Sequence, residues 1–208
     1  GPMKDMPAIE SSVQAASGLM AAQIDAGEHP RKTPLLLLDP LTGYVAYASI
    51  LAALLQRGAD GTGQRLDVAM IDAALMISSF AIATPQFEGP PAAPAMVGRA
   101  TVGRFAAQDR ALFISAVQPV WFGRVCDVIG RPELKTDPRF DTPASRAANA
   151  DALMAAWEEG LAAKPAQVWE AELAAAGVPS GVLRTITEYA AHPHVVERGS
   201  LSQVDVPG

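Results

Sequence analysis

Between residues 87 and 104 the sequence loses all regular spacing of apolar side chains and is punctuated by Gly89, Pro90, Pro91, Pro94, Gly98 and Gly103. Proline fixes φ and removes a backbone donor, while glycine leaves the backbone free, so no ordinary helix or strand runs through such a stretch. It therefore reads as a linker. The expectation is one segment over 1–86, a linker over 87–104, a second small domain over 105–185, and a return segment over 186–208. A chain of 208 residues, half of them hydrophobic and 18% charged, has the material for sizeable cores.

Upstream of the linker, Ile9, Val13, Ala16, Ser17 and Met20 follow helical spacing, which predicts a helix over 7–25. Asp5 is placed to cap it and Pro7 suits its first turn, leaving Glu10 on the shoulder of the apolar face. Residues 25–34 read as a loop. A second helix is predicted over 41–57, with Tyr47, Ile50, Leu51, Leu54 and Leu55 on one face, closed by a glycine-rich turn over 58–63. Residues 66–70 suggest a short strand leading into an apolar helix over 71–83. Downstream, 105–107 and 111–116 read as a hairpin around Gln108-Asp-Arg110. Helices are predicted over 119–130, 144–163 and 165–176, the last closed by Gly177 with Pro179 beyond. A strand near 181–184 and a short helix over 186–191 follow. The fold class expected is α/β and mostly helical, the second part being a small α+β domain.

Several chemistries are disfavoured by what the chain carries. Twenty-two acidic against sixteen basic residues give a net charge of −6, which argues against a nucleic-acid or anionic-membrane surface. The single cysteine, Cys126, excludes an internal disulfide framework and lies in an apolar helical pattern, where it reads as a small core residue. His29, His192 and His194 have no metal-ligand spacing, so no metal is expected; the last two flank Pro193 and read as exposed turn residues. No leader pattern is visible. The best candidate membrane segment, 68–84, is interrupted by Asp72, Ser78 and Ser79. The expectation is a soluble cytoplasmic protein.

Three segments carry a family resemblance. They are Pro7-Ala-Ile-Glu-Ser-Ser-Val-Gln-Ala-Ala-Ser-Gly-Leu-Met20; then Asp39-Pro-Leu-Thr-Gly43 with Ile50-Leu-Ala-Ala-Leu54, Arg57 and Thr62-Gly-Gln-Arg-Leu-Asp-Val-Ala-Met-Ile-Asp-Ala-Ala-Leu75; and a third set. That set runs from Gly130-Arg-Pro-Glu-Leu through Asp137-Pro-Arg-Phe140, Arg146, Asn149 and Ala176-Gly-Val-Pro179 to His192-Pro-His-Val195. Together they resemble the downstream portion of family III CoA-transferases, the CaiB/BaiF group that includes formyl-CoA and carnitine CoA-transferases.

The resemblance implies transfer of CoA between an acyl-CoA and a small carboxylic acid, through an enzyme-bound anhydride and thioester formed on an aspartate. It implies Glu10 at the position of that carboxylate, one methylene longer than aspartate, on the helix that also carries Gln14 as a cofactor-binding residue. The family's glycine-rich active-site loop would fall in the linker, where Gly98, Gly103, Arg99 and Arg104 are the candidates for contact with CoA. It also implies a homodimer, and an upstream half that carries most contacts to the CoA nucleotide, so the chain is expected to be incomplete on its own and to expose apolar surface. An α-methylacyl-CoA racemase relative, and a non-catalytic remnant serving as a dimeric interaction module, remain open as alternatives at this level.

Overall fold

The first helix is shorter than its apolar spacing suggests. In the computed structural model, which describes residues 2–23, 29–83 and 100–202, α1 spans Glu10–Ala16. Pro7 lies ahead of it rather than in its first turn, and Asp5 is exposed beside Lys4 and does not cap it. The Ile9 N–H, at the N-cap, donates instead to Ser12 Oγ at 2.9 Å. Gly18, at φ 83°, turns the chain out of the helix, and a single 3-10 turn at Ala21–Gln23 follows.

The chain divides into two compact units, Gly1–Ala95 and Met96–Gly208. In the first, α2 (Leu38–Asp60) and α3 (Met70–Ala83) join α1. α2 continues three residues into the expected turn, because Gly58 remains helical and Gly61, at φ 75°, closes the helix with its N–H on Arg57 O at 2.8 Å. No strand forms at 66–70; residues 61–69 carry no regular element. An extended segment becomes a strand only beside a partner for its backbone groups, and the described part of this unit offers none. Its core is small: Val13, Leu19, Leu38 and Ala74, with Met70 and Ile71 against them.

α2 buries little else. Leu38 is its one buried residue, and Thr42, Val45, Ser49 and Ala53, on the same side as Leu38, are half-buried. The face bearing Tyr47, Ile50, Leu51, Leu54 and Leu55 is exposed. By length and apolar composition α2, rather than the segment 68–84, is the helix able to cross a bilayer.

The second unit holds β1 (Val102–Ala106), β2 (Ala111–Ser115) and β3 (Ser180–Val182) in one antiparallel sheet of order β1-β2-β3. Phe105 faces Leu112 and Gly103 faces Ile114 in the hairpin; Leu112 in turn faces Val182. The alternation of the sequence sets the faces: Phe105, Leu112 and Ile114 point into the core, and Phe113 points out. Against that core lie α4 (Pro119–Val128), α6 (Ala150–Leu161) and α7 (Ala166–Ala175), while α5 (Pro143–Ala148), α8 (Ile186–Ala190) and α9 (Pro193–Glu197) are short. The one helix expected over 144–163 is thus two, parted at Asn149, whose Nδ2 donates to Ser145 O and Arg139 O. Pro193 starts α9 instead of lying in a plain turn, with the His192 Nδ1 accepting the His194 N–H.

The core of this unit is aromatic. Trp157 on α6 lies 5.1 Å from Phe105 and 6.1 Å from Phe122 between ring centroids, and Trp169 Nε1 donates to Leu161 O at 2.7 Å. Arg146 is buried, donates to Phe140 O at 2.6 Å and stacks 4.3 Å over the Phe122 ring. Gly160 touches α4's end so closely that an added Cβ would lie 3.0 Å from Ile129 O. Gly160→Ala is therefore expected to destabilise this unit by about 1–2 kcal/mol in urea melts, in spite of alanine's better helix propensity; a stabilised variant would overturn the packing argument.

The observed architecture is mostly helical with a small three-stranded antiparallel sheet.

Candidate active site

The N-terminus of α2 has a need that its own sequence does not meet. A helix leaves its first N–H groups without intrahelical partners, and a short polar side chain at the N-cap ordinarily accepts from them. Here the N-cap is Leu37, which has no acceptor. The donors concerned are the N–H groups of Leu37, Leu38 and Asp39; the next residue, Pro40, has none.

Glu10 meets the need from α1. Its Oε2 accepts from Leu38 N at 2.9 Å and Asp39 N at 2.7 Å, and its Oε1 from Leu38 N at 3.1 Å and Leu37 N at 3.3 Å. Gln14, one turn further along α1, donates Nε2 to the same Oε1 at 2.6 Å. Two carboxylate oxygens offer about four lone-pair sites, so these four donors leave none for another partner. Glu10 is 5% exposed and Gln14 is completely buried. Burial is the largest single influence on the Glu10 carboxyl and opposes its charge. Donation from Gln14 and from the backbone of Asp39, Leu38 and Leu37 outweighs it, so the group sits below its ordinary range. The reading of Glu10 as a residue on the shoulder of α1 is corrected by this burial: it is an interior anion holding a second helix.

Gln14 has its other end engaged too. Its Oε1 accepts from Thr33 N at 3.1 Å, so its amide ties α1 to the approach to α2. Fully buried, it presents nothing to a ligand in this structure.

Asp39 stands next to this arrangement with a different exposure. It is the second residue of α2, in the first turn, with its backbone N–H held by Glu10 and its side chain exposed to solvent. Among the described residues, no hydrogen bond engages its carboxylate. An anion at that position lies at the positive end of the helix dipole, which Glu10 already shares. The result is two carboxylates on one helix terminus: one saturated and interior, one open. Asp39 opens the second family segment, but the sequence alone assigns it no role. The signal that would find it is an acidic residue in a helix's first turn directly ahead of Pro40, following a hydrophobic run.

The other expected site residues are not gathered here. Gly98 and Arg99 lie outside the described residues. Gly103 and Arg104 are in β1 of the second unit, not in a loop, with Arg104 exposed and paired in register with Phe113. A cleft of about 600 Å³ in that unit is bordered by Arg110, Arg184 and Glu188, but its charges are already matched. Arg184 forks onto Glu170 at 2.5 and 2.8 Å, and Arg110 meets Glu188 at 2.9 Å. Cys126 is buried, and burial pushes its thiol up to about 11, which excludes it as a nucleophile near neutral pH. Among the described residues no three His, Cys, Asp or Glu side chains gather to hold a metal ion.

Comparison with known proteins places this geometry in a wider setting. The sequence model for CoA-transferase family III matches residues 1–208. The acetyl-CoA:oxalate CoA-transferase of Acetobacter aceti is 37% identical over 207 residues, covering 97% of this chain and 53% of that protein. The succinyl-CoA–D-citramalate CoA-transferase of Chloroflexus aurantiacus is 30% identical over 220 residues, covering all of this chain and 52% of its own. Among solved structures, Rv3272 from Mycobacterium tuberculosis superposes with a TM-score of 0.80 at 29% identity, over 96% of this chain and 53% of that one. The chain thus spans about half the length of the curated relatives it matches.

Proposed function

The chain belongs to CoA-transferase family III, and from that premise we propose that it supplies the carboxylate portion of an enzyme moving CoA between an acyl-CoA and a carboxylic acid, with Asp39 as the nucleophile and Glu10 as the residue that positions it. The observation that carries this reading is the division of labour at the start of α2: Glu10 is buried with every lone pair occupied, whereas Asp39 is exposed with its carboxylate open.

The chemistry asks for a carboxylate that reaches a thioester carbonyl. Attack by Asp39 on the acyl-CoA carbonyl carbon forms a C–O bond, breaks the C–S bond and releases CoA thiolate, leaving a mixed anhydride on Asp39. The thiolate then attacks the aspartyl carbonyl of that anhydride, expelling the first carboxylate and forming an aspartyl thioester. The acceptor carboxylate attacks this thioester, and CoA thiolate leaves a second time. In the last step the thiolate takes the new acyl group and Asp39 is regenerated. Covalent catalysis of this kind divides one acyl exchange into easier steps. Glu10 contributes by position. Its bond to the Asp39 N–H fixes the backbone from which the nucleophile projects, and a displacement of about 1 Å at such a site costs on the order of 100-fold.

Hydroxylamine tests the assignment. Incubation with an acyl-CoA and hydroxylamine should convert the nucleophile to a hydroxamate, located by peptide mass spectrometry at Asp39. A hydroxamate at Glu10 would return the nucleophile to the other carboxylate.

A further inference from the structure

The second helix of the first unit is arranged in an unusual way for a surface element. At 100° per residue, Leu38, Thr42, Val45, Ser49 and Ala53 share one side, and these mostly small residues face the rest of the unit. The large residues are on the far side. Ile50, Leu54, Tyr47, Leu51, Tyr44 and Leu55 span an arc of about 140° and a length of about 17 Å, and they remain 44–77% exposed. α3 adds Leu75 and Ile82 on one flank and Met76 on another, all at least half exposed. A helix whose widest apolar face points away from its own unit is the signature of an element inside a larger folded body. A contiguous face of this size is not left in water by a soluble monomer.

We propose that the α2–α3 pair is the interior of a larger body, enclosed by a polypeptide equivalent to the portion of the relatives' length that this chain does not match. Three observations select that occupant. The matched relatives and solved structures are about twice as long as the region shared, so a covering polypeptide of comparable size exists in each of them. The exposed apolar residues lie on the far side of α2 and on two flanks of α3, which requires an enclosing partner; a single two-fold contact with a second copy covers one strip. A lipid bilayer is disfavoured by Tyr44 and Tyr47, whose hydroxyls need hydrogen-bond partners that hydrocarbon lacks and a protein supplies. The inference rests on surface chemistry and is independent of which carboxylate reacts.

The test is complementation read by mass, not by activity. The unmatched portion of the Acetobacter aceti acetyl-CoA:oxalate CoA-transferase is co-expressed as a separate polypeptide with this chain, and the product is examined by size-exclusion chromatography with light scattering. A one-to-one complex is expected, and Ile50→Asp with Leu54→Asp should weaken it by about 100-fold. Both residues are exposed in the chain itself, so the double variant should keep the circular dichroism and melting of the parent; an unfolded double variant is replaced by Leu55→Asp, at the most exposed position. A chain that stays monomeric without capturing the partner overturns the proposal. So does a homodimer abolished by the same substitutions, or partition of the chain into phosphatidylcholine vesicles in preference to the complex.

Discussion

Asp39→Asn is expected to lower CoA exchange by about 10,000-fold or more, the scale on which removal of a covalent nucleophile acts, while changing stability by no more than about 1 kcal/mol. The two halves of this expectation come from one geometric fact. The Asp39 carboxylate is exposed and makes no bond that the fold depends on, whereas its backbone N–H, which the substitution preserves, carries the bond to Glu10 at 2.7 Å. Exchange is measured with this chain joined to the half of a family-length protein that completes the CoA site, following transfer of labelled CoA to oxalate. Stability is measured on this chain by thermal melting. Wild-type exchange by Asp39→Asn would remove Asp39 from the chemistry, and a melting temperature far below the parent's would mean that the carboxylate is structural.

Glu10→Ala is expected to do the reverse first: a loss of about 3–4 kcal/mol of stability, with activity falling as a consequence. The substitution removes the acceptor from four donors at once, and the Leu38 N–H is left in a completely buried residue with no partner. Glu10→Gln separates charge from shape. It keeps one oxygen but turns an NH2 toward backbone donors, for a cost of about 2 kcal/mol. The pH dependence distinguishes the two further. The folded-state carboxyl lies below its unfolded value of about 4.3, so its contribution is present above that pH and is lost as pH falls through the folded value. Subtracting the stability of Glu10→Gln from that of the parent between about pH 7 and about pH 2 should give a difference that shrinks toward zero on acidification. A difference that grows would show that the group is held above its ordinary range instead.

Local order was legible in the residues. The β1–β2 hairpin follows from alternation at Phe105, Leu112 and Ile114 around Gln108-Asp-Arg110, and α7 ends where Gly177 permits a left-handed backbone. Much of the third family segment likewise has a structural explanation. Arg139 pairs with Asp137 at 2.6 Å, Arg146 closes on Phe140 O, and Asn149 joins α5 to the preceding loop. Such contacts span ten residues or fewer, so spacing alone carries them.

Pairings across greater distance needed the fold. A carboxylate and the helix terminus it caps lie 28 and 29 positions apart, and nothing in the spacing around Glu10 distinguishes a reactive residue from an interior anchor. The resemblance led to the right neighbourhood, but it could not say which of two carboxylates is spent on hydrogen bonds. The face of α2 is the same kind of problem. Periodicity grouped Tyr47, Ile50, Leu51, Leu54 and Leu55 correctly, yet the unit buries the opposite, small-residue side. By itself the sequence determined where most helices and the hairpin form, because those depend on neighbours within a few residues. Only the tertiary structure decided which side of α2 is covered and which acid is free, because burial and hydrogen-bond saturation are set by groups that the chain brings together from far apart.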